Sequence, residues 1–279
     1  KTNTVSVMSY GFNPYISEWS QYHGSQYAII ESMAKNVAAG GYYKNIRFTF
    51  QEYFERLNND KEKWAKPFTA LLGAYKALKE FELAAIGGKD SMSGTYLELN
   101  VPPTLVSFAV NTANVEHVIS NELKAAGHYL YLVNHVPDII YQPNYDQLKD
   151  NFEFVYQGIQ KKEIVTAYAL EFGGLTEALI KSTFGNKIGI DVITVLPLFK
   201  YKYGSILVES TLHLDCENAF YLGKTIEKPL IILNDAELSI DEAIELNQKT
   251  FSTIYPKSHN DSRTINETSK NMVKKKYSG

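Results

Sequence analysis

The chain has 279 residues, of which 44% are hydrophobic and 21% charged, with a formal net charge of −3. That is ordinary globular composition, long enough for about two domains and a substantial core. It excludes a strongly basic surface that would draw in nucleic acid or anionic membrane. The single cysteine, Cys216, excludes an internal disulfide and a cysteine metal cluster, and fits a reducing compartment. No apolar run approaches the roughly 20 residues of a membrane helix. No signal peptide is visible, and the sequence opens without an initiator Met, as expected of a piece of a longer polypeptide.

In chain order, residues 5–9 read as a short strand. The run Tyr10-Gly11-Phe12-Asn13-Pro14-Tyr15 reads as a turn-rich aromatic loop that continues through residues 19–23. A helix follows over 25–39, with Ile30, Ala34, Val37 and Ala38 as its stripe, and Gly40-Gly41 stops it. Residues 46–50 alternate as a strand, and 51–57 read as a short helical turn. A second helix runs over 67–79, with Phe68, Leu71, Leu72, Tyr75 and Leu78 as its apolar face. Leu83-Ala84-Ala85-Ile86 then reads as a short buried strand that opens into the loop Gly87-Gly88-Lys89-Asp90-Ser91-Met92-Ser93-Gly94. A strand over 104–110, a small helix over 114–121 and a strand over 128–133 complete a first α/β layer.

The mixed polar segment 134–143 marks a domain boundary. Beyond it come a helix over 145–161, a strand over 164–170, a helix over 175–183 and strands at 188–193, 205–209, 219–222 and 230–233. Few strands are followed by a crossover helix, so mixed sheets are expected. Ser239-Ile240-Asp241-Glu242 is a capping box for a helix to about residue 254, and the composition after Pro256 is linker-like.

The loop at residues 87–94 is the main candidate site. Its glycines permit close backbone approach, and its ammonium, hydroxyls and backbone N–H groups suit a phosphate. It matches neither the Gly-x4-Gly-Lys-Ser/Thr nor the Gly-x-Gly-x-x-Gly pattern. Chemistry alone favours a polar connection whose Asp90 and Ser91 bond their own backbone. Gly173-Gly174, between a strand and a helix, is a second anion site or a close packing contact. No histidine pair has zinc spacing, no Gly-x-Ser-x-Gly elbow occurs, and no metal ligand set or catalytic residue can be named.

Three blocks in order carry a resemblance: Ser9 to Tyr15 with Glu18-Trp19-Ser20, Ala85 to Gly94, and Phe172-Gly173-Gly174-Leu175-Thr176-Glu177-Ala178-Leu179. Arg47 to Phe54 and the Pro102 to Phe108 stretch also fit. The chain resembles the large, single-chain form of phosphoribosylformylglycinamidine synthase over residues 5–233, in the second half of its synthetase core and without its glutaminase domain. The resemblance implies an α+β fold of two α/β-layered domains with mixed sheets, like the N-terminal-type and C-terminal-type domains of the aminoimidazole ribonucleotide synthetase superfamily. These would be residues 1–134 (incomplete at the start) and 135–236, with 237–279 a helix and linker toward the glutaminase.

The activity implied is a purine-biosynthesis ligation: formylglycinamide ribonucleotide, ATP and glutamine-derived ammonia give formylglycinamidine ribonucleotide, ADP and phosphate. The resemblance implies phosphate or nucleotide contacts from Gly87, Gly88, Lys89, Asp90, Ser91 and Ser93, with Asp90 orienting Lys89 or the loop. His23 and Asn36 are further pocket candidates. It also implies ATP and Mg2+ as cofactors of the intact enzyme and a cytoplasmic location. The partners implied are the missing first half, the glutaminase and a homodimer through barrel strands, with no nucleic acid or membrane. Two departures weigh against Mg2+ binding by this half. Phe172 stands where the family tends to carry an aspartate ligand, and Ser32 stands where it pairs an acid with Asn36, leaving Glu31 one residue out of place. The alternative is a degenerate, non-catalytic half acting as scaffold or auxiliary nucleotide module. In either case the isolated chain is expected to be inactive.

Overall fold

The computed structural model describes residues 2–252, 254 and 255. It divides into two compact units, Lys1–Ala243 and Ile244–Gly279. The linker-like sequence beyond residue 255 lies outside the described residues.

The first layer is built from β1 (Thr4–Gly11), α1 (Pro14–Trp19), α2 (Gln21–Ala38), β2 (Arg47–Tyr53), α3 (Lys61–Phe81), β3 (Ala85–Ser91), the short ribbon β4 (Thr95–Tyr96) and β5 (Leu99–Asn100), and β6 (Thr104–Asn114). Four of these strands form a sheet in the order β1-β6-β2-β3, in which only β2 and β3 are parallel. The period-2 pattern of β2 explains its placement: Phe48 and Phe50 are buried on the helix side while Arg47 and Tyr53 are exposed. The other face of the sheet is open, leaving Met8 75%, Tyr10 52% and Val110 37% exposed.

Several local readings change. Asn13 does not sit in a long loop. Its side chain accepts from the backbone N–H groups of Tyr15 (2.9 Å) and Ile16 (3.1 Å) and caps α1, with Pro14 in the first turn. The expected helical turn after Phe50 is instead the continuation of β2 to Tyr53. The helix expected over 114–121 shrinks to one 3-10 turn at Val115–His117. In α3 the expected apolar face is the wrong one: Phe68 (64% exposed) and Tyr75 (64%) point outward. The buried side is the small-residue stripe Ala70, Gly73, Ala74 and Ala77. Small side chains let α3 approach α2 closely, and α2 is already buried almost all round.

The second layer comprises β7 (Tyr129–Val133), α4 (Tyr145–Gln160), β8 (Ile164–Ala169), α5 (Gly174–Ser182), β9 (Gly189–Val192), β10 (Ile206–Ser210), β11 (Ala219–Ile226), β12 (Leu230–Leu233), β13 (Ala236–Ser239) and α6 (Ile240–Lys249). Its sheet has the order β13-β12-β9-β11-β7-β10-β8. All neighbours are antiparallel except β12 and β9. β7, expected on the first side of a boundary at residue 134, is an interior strand of this second sheet. The change of layer therefore falls between Asn114 and Tyr129. One hydrophobic core joins the layers, running from Ile29, Ile30 and Met33 of α2 to Phe152 and Val155 of α4 and Val208 of β10.

A buried carboxylate pins the connection between the layers. Glu209 has no exposed surface. It accepts from the backbone N–H groups of Lys124 (2.9 Å) and Ala125 (3.2 Å) and from the Thr166 hydroxyl, and pairs with His128 Nδ1 at 2.7 Å. With its lone pairs filled, this charge can be tolerated inside the fold.

Of the second unit, the described residues contain the remainder of α6 and the ring pair Phe251–Tyr255, with centroids 6.5 Å apart.

Candidate functional site

The segment read as a glycine loop is an edge strand. α3 ends with Glu82 in the left-handed region at φ 56°, and β3 then runs parallel to β2 in the register Phe50↔Gly88, Gln51↔Lys89, Glu52↔Asp90 and Tyr53↔Ser91. Nor is its start buried: Ala85 and Ile86 are exposed, Ile86 by 76%. Pairing with β2 has recruited a sequence of low strand propensity into the sheet.

Strand geometry divides the motif between two faces, because successive side chains alternate. Lys89 and Ser91 share the open face with Gln51 and Tyr53. Gly88 and Asp90 share the helix face with Phe50 and Glu52. Gly88 has a packing role, since a Cβ there would lie 2.8 Å from the Phe50 carbonyl oxygen. At Gly87 a Cβ would meet open space. Beyond the strand end, Ser91 Oγ and Ser93 Oγ are 3.4 Å apart.

Asp90 lies on the opposite face of the strand from Lys89, beside Glu52. The Glu52 side chain is 1% exposed, and neither of its oxygens has a hydrogen-bonding partner among the described residues. Burial, reinforced by the neighbouring Asp90 carboxylate, raises Glu52 to about 8. A carboxyl group raised this far keeps its proton at neutral pH, so Glu52 is buried in its neutral form. Sequence reasoning missed Glu52, although it is in phase with the buried Phe48 and Phe50.

The helix positions compared with the family resolve differently. Ser32 is fully buried; its hydroxyl donates to the Ile29 carbonyl (2.8 Å) and meets Ser107 Oγ at 2.9 Å. Asn36 is also fully buried, donating toward the Val7 carbonyl and accepting from Asn111 Nδ2 at 3.1 Å. It ties α2 to the sheet. Glu31 points elsewhere: it accepts from the Phe12 N–H (3.0 Å) and pairs with Lys35 (2.8 Å), which also reaches Glu171 at 3.2 Å. Burial raises Glu31 to about 7 against the opposing pull of Lys35. Burial also pulls Lys35 down, but Glu31 and Glu171 outweigh it and its pKa ends raised.

Phe172, at the position of the expected metal-binding acid, packs its ring between Tyr15 (5.6 Å) and Tyr201 (5.1 Å). Gly173-Gly174 resolves toward packing. The Gly173 N–H donates to Glu177 Oε2 at 2.8 Å, so the α5 N-terminus is capped from within. Gly174, at φ 66°, would place a Cβ 2.8 Å from the carbonyl oxygens of Leu198 and Lys200. His23 is held by Ser20 Oγ (2.8 Å) and the Gln142 amide (2.7 Å), beside the Trp19 ring. Burial lowers its pKa, so it serves as a neutral bridge between α2 and the segment after β7. Among the described residues, no three His, Cys, Asp or Glu side chains gather as a metal site.

A four-stranded sheet backed by α2 and α3, joined to a seven-stranded mixed sheet with its own helices, is a fold this chain shares with several solved structures. No protein-family model matches the sequence. Among solved structures, the chain is similar to Thermotoga maritima PurL complexed with AMPPCP, at 13% identity and a TM-score of 0.65, covering 86% of this chain and 46% of that one. The same protein complexed with FGAR aligns at 16% identity and 0.62, covering 80% and 34%. One chain of a HypE–HypF complex aligns at 11% identity and 0.62, covering 86% and 90%. Thiamine monophosphate kinase (ThiL) from Aquifex aeolicus aligns at 10% identity and 0.58, covering 84% and 88%. The chain thus spans less than half the length of the PurL chains and most of the other two.

Proposed function

We propose that this chain is part of an ATP-dependent carbon–nitrogen ligase of purine biosynthesis, the second half of a phosphoribosylformylglycinamidine synthase core. Its β3 strand would form one wall of a phosphate site. The observation that carries this reading is the placement of Lys89 and Ser91 together on the open face of the first sheet, at the edge, with Ser93 next to them. An ammonium and two hydroxyls in that position suit a phosphate held between this sheet and a second one. The motif blocks support the family, and PurL structures with AMPPCP, ATP and FGAR support a nucleotide or substrate phosphate as the ligand.

The role of Asp90 narrows. Facing Glu52 on the opposite side of the strand, it shapes β3 and leaves the phosphate to Lys89, Ser91 and Ser93. The open face, with Met8, Tyr10 and Val110, would pack against the missing first half or a second copy of this chain. The domain organisation carried into this reading is an N-terminal-type domain with the first sheet and a C-terminal-type domain with the second, followed by the connection toward a glutaminase. The family's cytoplasmic location belongs to the same reading. Among the described residues no helix is long and apolar enough to cross a membrane.

A second reading, a non-catalytic scaffold half, is favoured by Phe172 and Ser32. One is stacked among rings and the other is turned into the core, where an Mg2+-nucleotide site would need carboxylates. Calorimetric titration of ATP into the chain, with and without Mg2+, separates the two. The phosphate-wall reading expects weak binding that is indifferent to Mg2+ and abolished by Lys89→Ala. The scaffold reading expects no binding, and tight Mg2+-dependent binding would contradict both. Synthase turnover from this chain alone would contradict its assignment as one half of a site.

A further inference from the structure

A second cavity, of about 680 Å3, lies away from β3, where α1, the segment after β7 and the segment before β10 converge. Its volume is in the range of small-molecule sites. One wall is a run of rings: Tyr201 to Tyr203 at 6.1 Å and Tyr203 to Tyr27 at 6.2 Å. Across from it, Trp19 stands edge-on to Tyr141 at 5.7 Å. Trp19 and Tyr141 are 61% and 50% exposed, so ring faces remain free for a ligand.

The polar groups of the cavity have unequal freedom. His135 is spent: its Nδ1 donates to the Tyr203 carbonyl (2.8 Å), and its Nε2 accepts from the Asn144 N–H (3.1 Å). Burial holds it near 4, so it is neutral. Asp138, the only acid of the lining among the described residues, closes a turn by accepting from the Ile140 and Gln142 N–H groups at 2.9 and 2.8 Å. Two cations remain. Lys202 is half-buried and is held by Asn134 Oδ1 at 2.8 Å. Lys200 lies close enough to add to the effect of burial in lowering it. Among the described residues neither forms an ion pair with a carboxylate. Two neighbouring ammonium groups without a counter-charge, beside free ring faces, call for a ligand that brings both an anion and a flat apolar body.

We infer that this cavity binds a small organic anion: a planar aromatic ring system carrying a phosphate or carboxylate, with the ring among Trp19, Tyr141 and Tyr201 and the anion at Lys200 and Lys202. This site shares no residue with the proposed phosphate wall on β3 and does not depend on it.

The test uses the full chain carrying Trp64→Phe, which leaves Trp19 as the sole tryptophan. Two fluorescent probes differ only in charge: 1-anilinonaphthalene-8-sulfonate and the neutral N-phenyl-1-naphthylamine. The expected result is one saturable site for the sulfonate with energy transfer from Trp19, and affinity for the amine at least tenfold weaker. Lys200→Gln with Lys202→Gln should cut sulfonate affinity at least tenfold and leave amine binding unchanged, which also shows that the double variant is folded. Should that variant fail to fold, Lys200→Gln alone, at an exposed position, should weaken sulfonate binding severalfold. Equal affinities for the two probes, or sulfonate binding indifferent to the lysines, would overturn the inference. Displacement of the sulfonate by adenosine 5′-monophosphate or by 2-naphthoate then tells a phosphate from a carboxylate, and displacement by neither would also overturn it.

Discussion

Replacing Glu209 with alanine should destabilise the protein by about 3–5 kcal/mol, the usual cost of removing one side of a buried charged network. The carboxylate has no exposed surface and gathers two backbone N–H groups, a threonine hydroxyl and His128. Alanine would leave these groups buried without an acceptor, at roughly 1–3 kcal/mol for each that water cannot reach. It would also free the 122–128 segment from β10 and so loosen the link between the two layers. The thermal midpoint should fall by roughly 10 °C, at about 2–4 °C per kcal/mol for a domain of this size. Glu209→Gln keeps one acceptor oxygen and should cost about half as much. Urea unfolding is the direct measurement, and a loss below about 1 kcal/mol for the alanine variant would show that the network is not what holds the segment.

The second large effect depends on pH. Glu52 titrates at about 8 in the folded protein, far above the ordinary carboxyl value of 4.5. A carboxyl group raised in this way is bound by the folded state in its neutral form. Its contribution is complete below the unfolded value and is lost as pH rises from there through about 8. A tenfold change in proton affinity corresponds to about 1.4 kcal/mol, and the strand edge can relax, so the loss should reach about 2–4 kcal/mol by pH 9. Glu52→Gln replaces the neutral acid with a neutral amide and removes this dependence. The variant should match the native protein near pH 5 and exceed it by about 2–4 kcal/mol at pH 9. Glu31, raised to about 7, acts in the same direction in both proteins and cancels in the comparison. Parallel curves for the two proteins between pH 5 and 9 would show that Glu52 is not buried in its protonated form.

The sequence was most legible where information is local. Most strands and helices of the second layer, and the cap at Ser239, follow from periodicity and capping chemistry. The ordered motif blocks pointed to the correct architecture. What stayed hidden depends on distant partners. The segment after Leu83 has two glycines and several polar residues, yet it is a strand because β2 offers it an edge. The large apolar residues of α3 looked like its buried face, but an already enclosed α2 accepts only the alanine and glycine side. β7 follows the first layer in the chain and pairs in the second.

The candidate site was legible as a set of residue types and not as a geometry. Alternation along β3 sends Asp90 to the helix side and keeps Lys89 and Ser91 on the open side. Asn36 is spent on the sheet, and His23 on Ser20 and Gln142. The Glu52–Asp90 pair could be located only once the β2–β3 register was known, although the phase Phe48, Phe50, Glu52 already marked a carboxyl group on a buried face.

The central claim is that the open face of β3 contributes a phosphate contact through Lys89. Under the proposed function its most direct test is the turnover of the full-length enzyme carrying Lys89→Ala, with glutamine, ATP and the formylglycinamide nucleotide offered as substrates. Loss of one preorganised cation at a transferring phosphoryl group predicts a fall of about 10²–10³ in kcat/KM, with thermal stability unchanged because Lys89 is exposed. Turnover equal to that of the unmodified enzyme would contradict the claim.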